Sequence, residues 1–350
     1  MFNASNETNW ENGTSTPSGT SSTSLTPYHI LSLVILVLET IVGSFTNGLM
    51  VIVNLNNLLT HRKLGSCDSI LTCLGLSRFI FMWLIFNVFF VSYLAPNFSE
   101  IGLTFNYVVL FFNYLCLWFA TWLSTFYCVR IVNIQRYIFT AFKTHFDDLL
   151  PLLILVSVLI SASCSNPAAE NGINQIFNMN SYGSEKNSTS FVGIGQNFAT
   201  YSILCVMGSI PPFALFCVSA GLVVHSLVRH MKKMKEQERT GFREPALDAH
   251  YRAVKMMAAF FMFFLLYMIA FNVYGLEYTE DGMLSCILTF LIGAYPSLHS
   301  VLLVNGNHKL RNTCVWILQK ANFCQKEDSV SSMQKNERKQ GMTSENCQAK

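Results

Sequence analysis

Charge is scarce in this sequence: Asp, Glu, Lys and Arg make up 12% of 350 residues while 51% are hydrophobic, about half the charged share of an average soluble domain. The apolar residues are not dispersed. They fall into blocks at about 30–54, 69–94, 105–130, 149–165, 198–228, 251–275 and 284–306. About 20 apolar residues at 1.5 Å rise cross a ~30 Å hydrocarbon core, so the blocks read as seven membrane spans and exclude a soluble two-domain enzyme. Enzyme and metal motifs are equally scarce: there is no H-E-x-x-H, G-x-x-x-x-G-K-[ST], G-x-S-x-G or calcium loop. Neither enzymatic activity nor a metal or cofactor is expected. Residues 1–27 lack Lys and Arg and lack an apolar core for a signal peptide, so the first span is expected to direct the chain to the membrane.

The basic residues that do occur are unevenly placed. With the N-terminus outside, 21 of the 23 Lys and Arg lie in cytoplasmic segments, leaving Lys186 outside and Arg78 within the second span. Such a bias fixes the inner face, and an even number of spans would put the basic tail on the wrong side. A net charge of +3 therefore speaks to topology, and no nucleic-acid partner is expected. The sequons at Asn3, Asn6, Asn12, Asn97 and Asn187 all fall on the outer face by this reading. Asn187, midway in the loop between spans four and five, is the best glycosylation site, whereas Asn97 lies close to the bilayer. The organisation expected is an outer glycosylated tail over 1–28, a seven-span all-α bundle over 29–306, an amphipathic interfacial helix over 307–324 and a disordered cytoplasmic tail over 325–350. Cys314 and Cys324 flank the segment Leu310 to Cys324 as candidates for palmitoylation, a helix end without lipid being the equal alternative. No outer loop interior carries a cysteine, so no disulfide framework is expected; Cys164 and Cys286, near outer span ends, are the one pair left open.

Polar groups inside spans cost several kcal/mol unless paired or hydrated, and so mark function by default. Glu39, Gly43 and Asn47 recur at i, i+4 and i+8 and share one face of span one. Arg78 lies ten residues past Asp68, at the inner end of span two, roughly 15 Å into the membrane. Asn47, His299 and Ser300 reach a similar depth from the inner ends of spans one and seven. These four residues are expected to form a hydrated polar cluster joining spans one, two and seven. Pro211, Pro212 and Pro296 interrupt spans five and seven, where kinks suit either a moving segment or a static bend.

The commonest class of seven-span receptor is poorly matched. The acidic-Arg-Tyr triplet is replaced by Phe126-Tyr127-Cys128-Val129-Arg130, and span six has no Trp-x-Pro, span seven no Asn-Pro-x-x-Tyr. The sequence instead resembles the type 2 (bitter) taste receptors. The resemblance is carried by Glu39, Gly43, Asn47 and Asn54; by Asp68-x-Ile70-Leu71-x-x-Leu74-x-x-Ser77-Arg78 followed by Trp83; by Trp118, Thr121, Leu123, Phe126, Tyr127, Ile131 and Asn133; by Pro212, Phe213, Ser219, Ser226, Leu227, His230, Lys232, Lys233 and Met234; by His250, Ala253, Lys255, Phe260 and Tyr267; and by Pro296, Ser297, His299, Ser300, Asn307, Lys309 and Leu310.

That resemblance implies a plasma-membrane receptor that takes a small bitter molecule from outside and couples inside to a heterotrimeric, gustducin-like G protein. It implies a ligand pocket at Asn113, Val109, Tyr267 and Thr289, with Tyr267 as a toggle and Val109 where many members carry a tryptophan. It also places Tyr127, Arg130, His230 and Lys233 on the G-protein side, Arg130 standing where the family usually has lysine. The long, sequon-rich N-terminus and long inner tail depart from the family pattern and point to a divergent member. Two alternatives remain: a type 1 vomeronasal-like chemoreceptor, and a transporter or channel with Glu39 and Arg78 along an ion path. The odd span count and the absence of an internal repeat weigh against the second.

Overall fold

The computed structural model describes residues 27–94, 102–132, 137–182, 190–237, 245–276 and 282–320. Their architecture is all-α: α1 (Pro27–His61), α2 (Ser66–Leu94), α3 (Gly102–Ile131), α4 (Tyr137–Tyr182), α5 (Ser190–Gln237), α6 (Pro245–Leu276) and α7 (Gly282–Gly306). All seven contain a stretch long and apolar enough to cross a membrane. A shorter helix, α8, follows over 308–320.

Local sequence explains where several helices begin and end. Pro27 and Pro245 open α1 and α6, where the missing N–H interrupts no helical bond. After α1 the chain turns through Arg62 at φ 53°, a left-handed position usually given to glycine. Beyond α7 the Asn307 Oδ1 accepts from the backbone N–H of Lys309 at 3.1 Å and of Leu310 at 3.4 Å, an N-cap that starts α8 in a new direction.

The bundle closes as a ring. α1 packs on α2 and α7, α6 joins α7 to α5, and α3 runs through the middle against α2, α4 and α5. Unlike that of a water-soluble protein, the outer face is apolar as well as the core, and polar groups are buried among the apolar ones. Leu31, Val34, Leu38, Ile41, Phe45 and Ile52 of α1 face outward, while Asn47, Arg78, Asn113, Thr121, His299 and Ser300 are buried. Lipid accepts the first set, and the second must find hydrogen bonds inside. Several of those bonds stitch α3 to its neighbours. Trp122 Nε1 donates to Ser157 Oγ of α4 at 2.7 Å, Ser124 and Ser219 of α5 share a 2.8 Å bond, and Thr121 Oγ lies 2.9 Å from the Pro212 carbonyl of α5.

Two expectations about the helices change. α4 and α5 extend well past the apolar blocks at 149–165 and 198–228, because helix continues through polar sequence once a span has nucleated it. Pro151, close to the start of the apolar block at 149–165, therefore lies inside α4 with more than two turns before it; membrane helices tolerate such prolines where neighbours re-satisfy the freed carbonyl. Cys164 and Cys286, left open as a pair, are both free thiols.

Candidate functional site

The deepest polar feature is Arg78 of α2, whose side chain is fully buried. Its Nη2 donates to His299 Nδ1 at 2.6 Å and to the Tyr295 hydroxyl at 3.1 Å, and its Nη1 reaches Ser300 Oγ at 3.4 Å. The guanidinium also lies 5.0 Å from the centre of the Tyr295 ring, within cation–π range. Guanidinium only donates, so His299 Nδ1 must accept, which assigns its ring proton to Nε2. The Ser300 hydroxyl sits 2.7 Å from both Asn47 Oδ1 and the Pro296 carbonyl, its single proton shared between them. Asn47 Nδ2 in turn donates to the Gly43 carbonyl at 2.9 Å. Asn47, Arg78, His299 and Ser300 thus meet in one cluster across α1, α2 and α7.

No carboxylate pairs with Arg78 among the described residues. The other charge placed in this region, Glu39, sits two helical turns from Asn47 on α1. Among the described residues both of its carboxyl oxygens lack a hydrogen-bond partner, and its carboxyl group lies against Gly293 of α7, where a Cβ would have no room. Gly43 likewise leaves space for Met82 of α2. These glycines let α1 approach α2 and α7 closely enough for the Asn47 and Ser300 side chains to touch.

The residues assigned to a ligand pocket divide into a connected pair and two separate positions. The Tyr267 hydroxyl of α6 donates to Asn113 Oδ1 of α3, and both side chains are essentially fully buried. Asn113 Nδ2 has no partner among the described residues, leaving a buried donor within the bundle. Val109 is buried one turn earlier on α3. Thr289 is also buried, but its hydroxyl is spent on the Ser285 carbonyl of its own helix at 2.8 Å. The structure places no bond between Thr289 and the Asn113 pair.

Tyr295, which no sequence motif singled out, lies between the two groups. Its ring stacks on Tyr267 at 4.7 Å and 28° while its hydroxyl accepts from Arg78. Around this contact Phe264 meets Tyr295 edge-on at 5.5 Å, and Phe260 packs on His299 at 4.2 Å. One tyrosine among 13, beside 29 phenylalanines, carries no periodicity or charge signal that would have marked it. Only its position four residues before His299, on the same helix face, was available as a clue.

At the basic end of the bundle, Arg130 of α3 forms a two-pronged ion pair with Asp147 of α4, at 2.9 and 3.2 Å. Ser66, at the start of α2, donates to the same carboxylate at 2.6 Å. Tyr127 is partly buried against the apolar core of the bundle. Thus two of the residues assigned to the G-protein side are engaged within the bundle, while His230 and Lys233 are exposed on α5. Asp147 was missed because it belongs to an Asp147-Asp148 pair at a span edge, where a solvated acid is the ordinary reading. Nearby, Lys309 of α8 approaches Asp68 at 3.6 Å and Asn54 Oδ1 at 3.5 Å, and Asn54 Nδ2 donates to the Asp68 carbonyl at 3.2 Å. These contacts hold α8 against α1 and α2. Cys314 is half-buried against the bundle. Cys324, Asn3, Asn6, Asn12, Asn97 and Asn187 lie outside the described residues.

Comparison with known proteins decides the family. A family model described as taste receptor protein (TAS2R) matches residues 25–322, a range that takes in every described helix from α1 to α8. The chain belongs to the taste receptor family. Among its relatives, taste receptor type 2 member 2 of Homo sapiens is 31% identical over 293 residues, covering 81% of this chain and 94% of that protein. Taste receptor type 2 member 40 of Gallus gallus is 29% identical over 301 residues, covering 83% and 95%. Taste receptor type 2 member 1 of Chlorocebus aethiops is 28% identical over 298 residues, covering 85% and 98%. Near-complete coverage of these relatives favours the taste receptor reading over the vomeronasal-like and transporter alternatives, and the protein is a multi-pass membrane protein with seven membrane-length helices.

Proposed function

We propose that this taste receptor is a plasma-membrane chemosensor of small bitter molecules that activates a heterotrimeric, gustducin-like G protein. Its N-terminus lies outside and its basic end faces the cytosol. The observation that carries the reading is the buried Asn113–Tyr267 bond with Asn113 Nδ2 left over. A donor with no partner among the described residues, in an apolar helical bundle, suits a ligand of mostly apolar surface with one or two acceptors. Tyr267 gives such a ligand a hydrogen bond to compete for, so occupancy at Asn113 changes what α6 is attached to. Arg130, paired with Asp147 at the basic end of the bundle, sits where a G protein would replace one set of contacts by another.

The test is a panel of bitter compounds, quinine and denatonium among them, applied to cells that express the receptor with a promiscuous G protein. Calcium release that requires the G protein supports the reading, and a flux without it contradicts it. In Asn113→Ala, the half-maximal concentration of any active compound rises by about ten-fold, as expected for loss of one buried hydrogen bond; an unchanged dose response removes Asn113 from the pocket. Orientation is tested by Asn187→Gln. Loss of a glycosidase-sensitive mobility shift places the loop between α4 and α5 outside.

A further inference from the structure

Two hydrogen-bonded groups in this bundle are joined through one side chain. On one side is the Asn113–Tyr267 pair of α3 and α6; on the other is the Arg78 cluster of α1, α2 and α7. Tyr295 touches both, by its ring face toward Tyr267 and by its hydroxyl toward Arg78. From the geometry we infer that Tyr295 is a positioning residue that couples the Asn113–Tyr267 pair to the Arg78 cluster, so that the state of one sets the state of the other. This rests on the proposed function insofar as the coupling is read out as signalling.

The physical reason lies in how few ways Tyr295 has to satisfy both partners. Its ring plane is fixed by the Tyr267 stack and by the Phe264 edge contact at 5.5 Å. Its hydroxyl, on the ring axis, stays 3.1 Å from Arg78 Nη2 when the ring turns and leaves it only when the side chain swings about Cα–Cβ or α7 shifts. If Tyr267 rotates away from Asn113, the Tyr295 ring loses its stacking surface. A swing of the side chain into the space then left moves the hydroxyl away from the guanidinium, and a turn of the ring takes away its face. Arg78 has no carboxylate to hold it among the described residues, so its neutral acceptors decide its position. It would then shift its donors among His299, Ser300 and, through Ser300, Asn47.

Besides Tyr267 and Phe264 on Tyr295, α6 meets the cluster through Phe260 on His299 at 4.2 Å, a ring contact without a hydrogen bond. It senses displacement of α6 as a body. Tyr295 senses the rotamer of Tyr267. The two routes therefore separate by mutation: Tyr295→Phe keeps the stack and removes only the hydroxyl, whereas Phe260→Leu leaves the Tyr267–Tyr295–Arg78 connection in place.

The experiment is a double-mutant cycle of Tyr267→Phe and Tyr295→Phe in the full-length receptor, read in two ways. The first reading is the dose response to whichever of quinine, denatonium or other panel compounds activates wild type, normalised to surface expression. Each single variant is expected to raise the half-maximal concentration by roughly ten-fold, as for one hydrogen bond. The double variant is expected to be little worse than either, since both break one connection. Phe260→Leu should add its effect independently to either variant. The second reading needs no ligand: the midpoint of thermal unfolding of purified receptor in detergent, where coupled sites give non-additive shifts. Multiplicative dose-response shifts, or additive midpoint shifts, overturn the coupling. A Tyr295→Phe variant that matches wild type in both readings overturns it as well. If wild type responds to no compound, the proposed function fails on its own account, and the midpoint cycle alone decides whether Tyr295 couples the two groups.

Discussion

Replacing Arg78 separates what its charge does from what its volume does. The guanidinium makes two well-placed hydrogen bonds, to His299 at 2.6 Å and Tyr295 at 3.1 Å, and one long one to Ser300 at 3.4 Å. Bonds to charged groups contribute ~1.5–3 kcal/mol each, so the two good ones supply about 3–6 kcal/mol. Contact with the Tyr295 ring adds roughly 1 kcal/mol. Against this stand a cost of about 2.5–3.5 kcal/mol for placing arginine at the centre of a membrane helix and about 2 kcal/mol of side-chain entropy. The opposing totals nearly cancel. Arg78→Met, which fills most of the volume without the charge, should therefore unfold within about 2 kcal/mol of wild type. Arg78→Ala adds a cavity, and should be lower than the methionine variant by about 2–4 kcal/mol. Neither should signal, because the cluster that links α1, α2 and α7 is gone in both. Thermal unfolding of purified receptor in detergent, paired with the calcium assay on surface-matched cells, measures the two effects separately. An Arg78→Met variant as unstable as Arg78→Ala would refute the cancellation and show that the charge itself holds the bundle together.

Other perturbations test the packing and the basic end. A Cβ at Gly208 of α5 would sit 2.7 Å from Tyr114 Cζ and 2.9 Å from Cε1, and a buried ring cannot yield; Gly208→Ala should cost about 1–3 kcal/mol of stability and lower surface expression. At Gly43 the obstacle is the flexible end of Met82, so Gly43→Ala should cost less than Gly208→Ala, and equal costs would show that side-chain flexibility does not decide the outcome. Asp147→Asn removes the ion pair to Arg130, whose side chains are 54% and 52% exposed. Stability should fall by less than about 1 kcal/mol, while ligand-free signalling rises because Arg130 is released; unchanged basal signalling at equal surface expression would mean the pair is only structural.

Hydropathy and charge make part of this receptor legible in its sequence. Apolar blocks of near-span length mark seven helices, and counting residues from Asp68 and from the inner ends of spans one and seven puts Asn47, Arg78, His299 and Ser300 in one layer, where they meet. Counting along a helix axis gives depth, but it cannot tell which neighbour a side chain faces. Tyr295 escaped for that reason: a neutral aromatic in an aromatic-rich span has no distinctive signal until Tyr267 and Arg78 are seen on either side of it. The partner of Arg130 escaped differently, since Asp147 is 17 residues away in sequence, and Ser66, which bonds Asp147, is 64 away; both lie at the edges of apolar blocks, where polar residues are expected anyway. Helix lengths were underestimated because hydropathy reports the part of a helix that lipid covers, whereas α4 and α5 continue beyond it.

The central claim is that a small molecule competing at the Asn113–Tyr267 pair drives G-protein activation. It is tested most directly by measuring calcium release in response to the bitter panel in cells expressing wild type, Asn113→Ala or Tyr267→Phe, with and without the promiscuous G protein, at matched surface expression. The account predicts a G-protein-dependent response in wild type and a roughly ten-fold loss of potency in both variants. A response that persists without the G protein, or potencies identical in all three receptors, would contradict it.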